Sequence, residues 1–415
     1  MPKDRTTADV QVLLDRGHES IQSKDFREAV ECFSRVIALR PDVPAGYRAR
    51  ARAYLELGQR TDALNDLDRA IRLKADDPVL FAERAEILHR QKAYPAAIAD
   101  CDTVLSLDSG WASIYGLRGE CYTATGDSVK ALADFAAAIE GDPNHAANYY
   151  LSRANLQLEC ENYNACIVDC NAALRINSEL ASAFRTRGLA YRELGDLPAA
   201  DKDLSEALRL EPDSPLAALA RATVRFDLGN STQAIADCDT VLTQSPNTAR
   251  AFTIRGMCKR RLNDLPGALA DYTEAIRNSP EYPGTYNLRA AVYYQQSQYQ
   301  RAIQDHLDAL KRDPRNPATF NQLGWIWATA PDPDVRNGRQ AKECATRACE
   351  LTEWQEAGFM DTLAAAHAEC GEFDEAVKWQ EKARDLVRPE QAIDYDSRVM
   401  LYQNGRPHRA RPTES

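Results

Sequence analysis

The chain has 415 residues, 44% hydrophobic and 27% charged, a balance that can bury a core and stay soluble. Its 51 Lys and Arg stand against 62 Asp and Glu, and the net charge of -11 repels phosphate backbones, which disfavours general nucleic-acid binding. No stretch approaches the roughly 18 uninterrupted apolar residues of a membrane span, and Met1–Asp9 lacks the apolar run of an export signal, so the expected location is cytoplasmic.

Residues 1–9 read as an N-terminal tail, and from residue 10 onward a helical pattern repeats. Ala29, Ala63, Ala97 and Ala131 are 34 apart, Cys166 follows at 35, and Ala200, Ala234, Ala268 and Ala302 resume the step. A parallel series holds only Gly or Ala: Gly17, Ala51, Ala85, Gly119, Ala154, Gly188, Ala222, Gly256 and Ala290. A third is mostly aromatic, running Tyr47, Phe81, Tyr115, Tyr150, Phe184, Phe252, Tyr286 and Phe320. Small residues let two antiparallel helices approach closely, and the aromatic fills the space beside that contact. Gly58, Gly126, Gly195, Gly229 and Gly371 suit the left-handed residue between paired helices. Pro41, Pro143, Pro212, Pro246, Pro280 and Pro314 stop the second helix of their pairs.

This pattern resembles the tetratricopeptide-repeat (TPR) family, with small residues at positions 8, 20 and 27 and proline near 32. The resemblance implies an all-α fold, an α-solenoid coiled as a right-handed superhelix of about eleven helix-turn-helix hairpins with a C-terminal capping helix. Nine regular repeats occupy 10–316, and two atypical ones occupy 317–390 with an insertion at 331–338, expected to form a longer inter-helix turn. A capping helix over 391–406 and a disordered tail over 407–415 complete the reading. The C-terminal end, including Asn321–Pro331, Asp361–Ala366 and Arg398–Pro407, resembles TPR proteins of planctomycete bacteria.

One feature departs from the family pattern. Position 7 is arginine in nine successive repeats, from Arg16 and Arg50 to Arg289, and position 23 is aspartate in eight, from Asp66 to Asp305. Both vanish together where Leu323 and Leu363 take position 7. A half-buried guanidinium without a carboxylate is costly, so the two series are expected to pair as a ladder between helices. Pairing within a repeat leaves only Arg16 unmatched and is weakly favoured over pairing between repeats.

The resemblance also implies that first helices line a concave groove. Carried across, its candidate ligand-binding residues are Arg48, Arg52, Arg90, Asn155, Arg185, Arg192, Arg250, Arg260, Arg261, Asn287, Tyr294, Asn321 and Trp325. The asparagines would bond an extended peptide backbone, and Tyr294 and Trp325 would anchor it. Arg260 and Arg261 have few acidic neighbours in sequence, so an acidic peptide or carboxylate is the sharp expectation there and a solvated helix face the alternative.

No chemistry competes with binding. The six histidines match no metal-ligand spacing, and no phosphate loop, nucleophile elbow or carboxylate pair is present. No catalytic residue, metal or cofactor is therefore expected. Cys101, Cys170 and Cys238 fall at apolar positions of the repeat and read as reduced core residues. The expected function is a protein-interaction scaffold holding a peptide or partner protein in the groove, with oligomeric state left open. The alternative is a helical-repeat RNA-binding protein, against which Glu56, Glu86, Glu120, Glu159 and Asp227 interrupt the basic groove positions.

Overall fold

The computed structural model describes residues 3–410, and helices are the only regular secondary structure among them. The chain divides into two compact bodies between Pro212 and Asp213.

The first body holds α1 (Lys3–Gln22), α2 (Phe26–Leu39), α3 (Pro44–Glu56), α4 (Arg60–Leu73), α5 (Pro78–Arg90) and α6 (Tyr94–Leu107). It continues with α7 (Ala112–Thr125), α8 (Ser128–Gly141), α9 (Ala147–Glu159), α10 (Tyr163–Ile176), α11 (Ala181–Glu193) and α12 (Leu197–Leu210). The second body holds α13 (Pro215–Asp227), α14 (Ser231–Gln244), α15 (Ala249–Arg261), α16 (Leu265–Asn278), α17 (Pro283–Gln295) and α18 (Tyr299–Arg312). Then follow α19 (Pro317–Thr329), α20 (Gly338–Leu351), α21 (Ala357–Glu369), α22 (Phe373–Asp385) and a last helix, α23 (Ala392–Gln403).

Local chemistry sets these boundaries. Proline opens α3, α5, α13, α17 and α19, where its missing N–H costs nothing. Asp25, Asp127, Asp196 and Asp264 cap second helices through their carboxylates. Each expected stop proline lies two residues past a helix end, as Pro212 does after Leu210. The turn inside each hairpin except α19–α20 places one residue in the left-handed region, glycine at the five expected positions. Lys24, Lys92, Glu161, Asn263 and Ser297 take the same conformation in other repeats. Stacking and the returning hydrogen bond hold them there, as when Asp264 donates to the Lys259 carbonyl at 2.8 Å.

Within each body, hairpins pack on their neighbours in sequence. First helices also touch one another directly, α5 to α7 to α9 to α11 in one body and α13 to α15 to α17 in the other. Second helices do not meet as closely, so first helices line the inner surface of each body. Between the hairpin partners the small-residue series is fully buried, Ala63, Ala97, Ala131, Cys166, Ala200, Ala234, Ala268 and Ala302 all at 0% exposure. Gly256 shows the constraint, since a Cβ there would lie 2.7 Å from the buried Tyr272 ring.

Three boundaries differ from the sequence reading. Helix α1 starts at Lys3, so most of the stretch assigned to a tail is helical. Helix α23 stops at Gln403, closed by Gly405 in the left-handed region. Residues 407–410, assigned to a disordered tail, are instead partly buried against the fold; 411–415 lie outside the described residues.

Candidate functional site

The arginine series is structural, and it does more than pair. Arg50, Arg84, Arg118, Arg153, Arg187, Arg221, Arg255 and Arg289 each donate Nε and Nη2 to both oxygens of the aspartate sixteen residues on, at 2.6–3.0 Å. Pairing is therefore within the repeat. The aspartates are 3–5% exposed, and the bidentate fork meets their desolvation. Hydrogen bonding to these carboxylates raises the pKa values of Arg50, Arg84, Arg118, Arg153, Arg187, Arg255 and Arg289, so these guanidiniums stay charged. Arg16 has no aspartate and pairs with Glu28 of α2 at 2.6 Å.

The third nitrogen was not anticipated. Nη1 reaches back to the preceding second helix: Arg50 to Ser34 at 3.0 Å, Arg84 to Asp68 at 2.7 Å and Arg118 to Asp102 at 2.6 Å. Arg187 bonds Asn171, Arg255 bonds Asp239 at 2.5 Å, and Arg289 bonds Thr273 at 3.1 Å. The sequence carries a signal for this, a polar residue sixteen positions before the arginine. The position-4 aromatics lie under the same guanidiniums, Phe81 below Arg84 at 5.6 Å and Phe184 below Arg187 at 5.3 Å.

The inner-surface candidates separate into held and available side chains. In the first body Arg48 is fixed by Glu83 of the next first helix at 2.7 Å, and Asn155 accepts from Thr186 at 2.7 Å. Arg48 and Arg52 border an open pocket of about 500 Å³ with Leu14, His18, Ile21 and Glu83. Arg90 borders one of about 310 Å³ shared with Glu86 and Glu120. Arg192 is paired with Glu193 at 2.9 Å, while Arg185 is half-buried on α11.

The second body holds the more coherent surface. Arg261 is not a free groove cation: its guanidinium lies 3.9 Å from the Phe226 ring and donates to the Phe226 carbonyl. Arg250 is exposed near the start of α15. Arg260 borders two adjoining pockets of about 550 and 300 Å³, whose walls carry no carboxylate. Asn287, Leu288, Ala291, Tyr294, Thr319 and Gln322 also line the larger one. Asn287 donates to Thr319 at 2.8 Å, and its carbonyl faces His306 Nδ1 at 2.8 Å. Burial lowers the His306 pKa to about 4, keeping that ring neutral. Tyr294 packs edge-on against Tyr299 at 5.6 Å. Asn321 keeps a buried side-chain oxygen with no hydrogen-bond partner, and Trp325 packs at a tilt against His408, ring centroids 5.5 Å apart.

Asp361, read in sequence as a favourable charge near a helix start, is buried and accepts from Gln380 of α22 and Arg398 of α23, both at 2.7 Å. It is the anchor of the last helix. Cys101, Cys170 and Cys238 are fully buried, and burial pushes the Cys101 and Cys238 thiols up to about 12, leaving them protonated packing groups.

Stacked helical hairpins, small residues between them and an inner surface of first helices define a helical-repeat protein. Family models for the tetratricopeptide repeat match residues 17–86, 185–249, 255–317 and 357–388, and the chain belongs to that family. It is similar to Hsc70-interacting protein 1 of Drosophila melanogaster, 38% identical over 86 residues, 20% of this chain and 22% of that protein. Tetratricopeptide repeat protein 13 of Homo sapiens is 28% identical over 178 residues, 40% of this chain and 20% of that one. The chain thus spans about a fifth of the length of these curated relatives. Among solved structures, a tetratricopeptide repeat protein from Parabacteroides merdae aligns with a TM-score of 0.49 at 21% identity, covering 60% of this chain and 98% of that one. Yeast Tom70 aligns at 0.44 and 16% identity, covering 95% and 96%.

Proposed function

We propose that this chain is a protein-interaction scaffold, without catalytic activity, that holds an extended acidic peptide along the inner surface of α15, α17 and α19. The carrying observation is Arg260, a cation bordering two joined pockets with no carboxylate in their walls. Amides and aromatic rings beside it, among them Gln322 and Tyr294, suit a peptide backbone and an apolar side chain. Family membership supports a binding role, and Hsc70-interacting protein 1 is by its name a protein that interacts with another. The RNA-reading alternative is weakened by Glu83, Glu86 and Glu120, which border the inner pockets of the first body.

A peptide array graded in Asp and Glu content tests the reading. The intact chain should retain acidic peptides at least tenfold better than neutral ones, and Arg260→Glu should abolish that preference with unchanged helical circular dichroism. Equal retention by both proteins would remove the acidic-peptide assignment.

A further inference from the structure

The insertion between α19 and α20 changes how a first helix ends. In the other repeats a left-handed residue closes that end, but Ala330 is extended, with φ -49° and ψ 137°. Asn337 then donates to the Trp327 carbonyl at 2.9 Å, and the last two carbonyls of α19, on Ala328 and Thr329, take donors from outside the insertion. Arg336 of the same insertion donates to the Ala330 and Pro331 carbonyls, both at 2.9 Å, and to Glu369 Oε1 at 3.0 Å. Glu369, at the end of α21 with a side chain 15% exposed, is thus fixed with its second oxygen presented alongside α19.

Residues 407–410 fill this place. Ala410 N–H donates to the Thr329 carbonyl at 2.9 Å. Arg409 pairs with Glu369 Oε2 at 2.7 Å and reaches the Ala328 carbonyl at 3.4 Å. His408 lies on Trp325, ring centroids 5.5 Å apart. The preceding residues 403–406 are exposed, while all four of these are partly buried. Two helix C-termini add their negative ends to the Glu369 charge, a field that selects a cation.

We infer that the ends of α19 and α21 form a recognition site for an extended segment carrying a planar ring followed by arginine, and that residues 407–410 are its resident self-ligand. The contacts are those of a bound peptide: one main-chain hydrogen bond, one tilted ring-on-ring contact and one partly buried ion pair. A tethered segment acts at an effective concentration on the order of millimolar, so it screens the site against weaker partners and yields to stronger ones. The partner predicted here is basic, in contrast to the acidic peptide proposed for Arg260, and neither assignment depends on the other.

The test uses a fluorescent peptide of residues 404–410 and the chain ended after Arg406. Anisotropy should show the shortened chain binding the peptide at least tenfold more tightly than the intact chain. Replacing Arg409 of the peptide with glutamine, or Glu369→Gln in the shortened chain, should each weaken binding at least tenfold. Arg409→Glu in the intact chain should open the site without truncation, which guards against misfolding of the shortened form. Arg260→Glu should leave all of this unchanged. Equal binding by intact and opened chains, or no binding by either opened form with native circular dichroism, would overturn the inference.

Discussion

Arg153 and Asp169 are the simplest rung of the ladder, since their bidentate bonds at 2.7 Å are made to each other alone among the contacts of Asp169. Breaking such a pair from one side leaves a charge stranded; Arg153→Leu should cost about 3–5 kcal/mol. The chain itself shows the remedy, because repeat ten places Leu323 and Cys344 at the same two positions within an apolar cluster. The double change Arg153→Leu with Asp169→Cys should therefore lose about 1 kcal/mol or less relative to the natural chain. Urea denaturation of the three proteins checks this, and an undiminished loss in the double variant would refute it. A steric counterpart is Gly256→Ala, which forces a Cβ to within 2.9 Å of two Tyr272 ring atoms. It should destabilise by about 1–3 kcal/mol, the usual cost of overpacking, although alanine is the better helix former.

The regular hairpins were legible in sequence because each boundary has a local cause: a proline, a capping aspartate, a glycine, a small residue every 34. The ends were not, because their order comes from long-range contacts. Asp361 and Arg398 are 37 residues apart, and Arg409 meets Ala328 across 81. No periodic signal marks such pairs. The contact of Arg261 escaped the sequence for a related reason, since the ring it lies on is one repeat back at Phe226. Helix α23 depends on the Asp361 contact, and burial raises the Asp361 pKa against the pull of Arg398. Arg398→Ala should fray α23, seen as faster amide exchange in residues 392–403, and lower the stability of this end by about 3 kcal/mol. The docked segment carries a pH dependence of its own. Burial, aided by Arg398 of α23 and neighbouring Arg409, lowers the His408 pKa to about 4, so docking favours the neutral ring. Docking should keep its full strength above the ordinary value near 6.5 and weaken as pH falls from there toward 4. Tryptophan fluorescence across that window should report release, and His408→Phe should flatten the change.

Across a whole body, stability in a stacked array is a sum of repeat terms and nearest-neighbour interfaces. Damage at one end should therefore stay near it: after Arg398→Ala, exchange should quicken in α21 to α23 and remain unchanged in α3 to α8. Uniform acceleration across both bodies would contradict this independence. The backward bonds of the ladder bear on how such a chain changes length. Six of the rungs couple a plug on one hairpin to a socket on the hairpin before it, at a fixed sixteen-residue offset. A duplicated or excised 34-residue block carries both fittings and rejoins its neighbours without redesign. Repeat ten, with Leu323 where the plug would be, offers no such join. Gain and loss of copies is expected upstream of it, with the last two hairpins inherited as a fixed terminus.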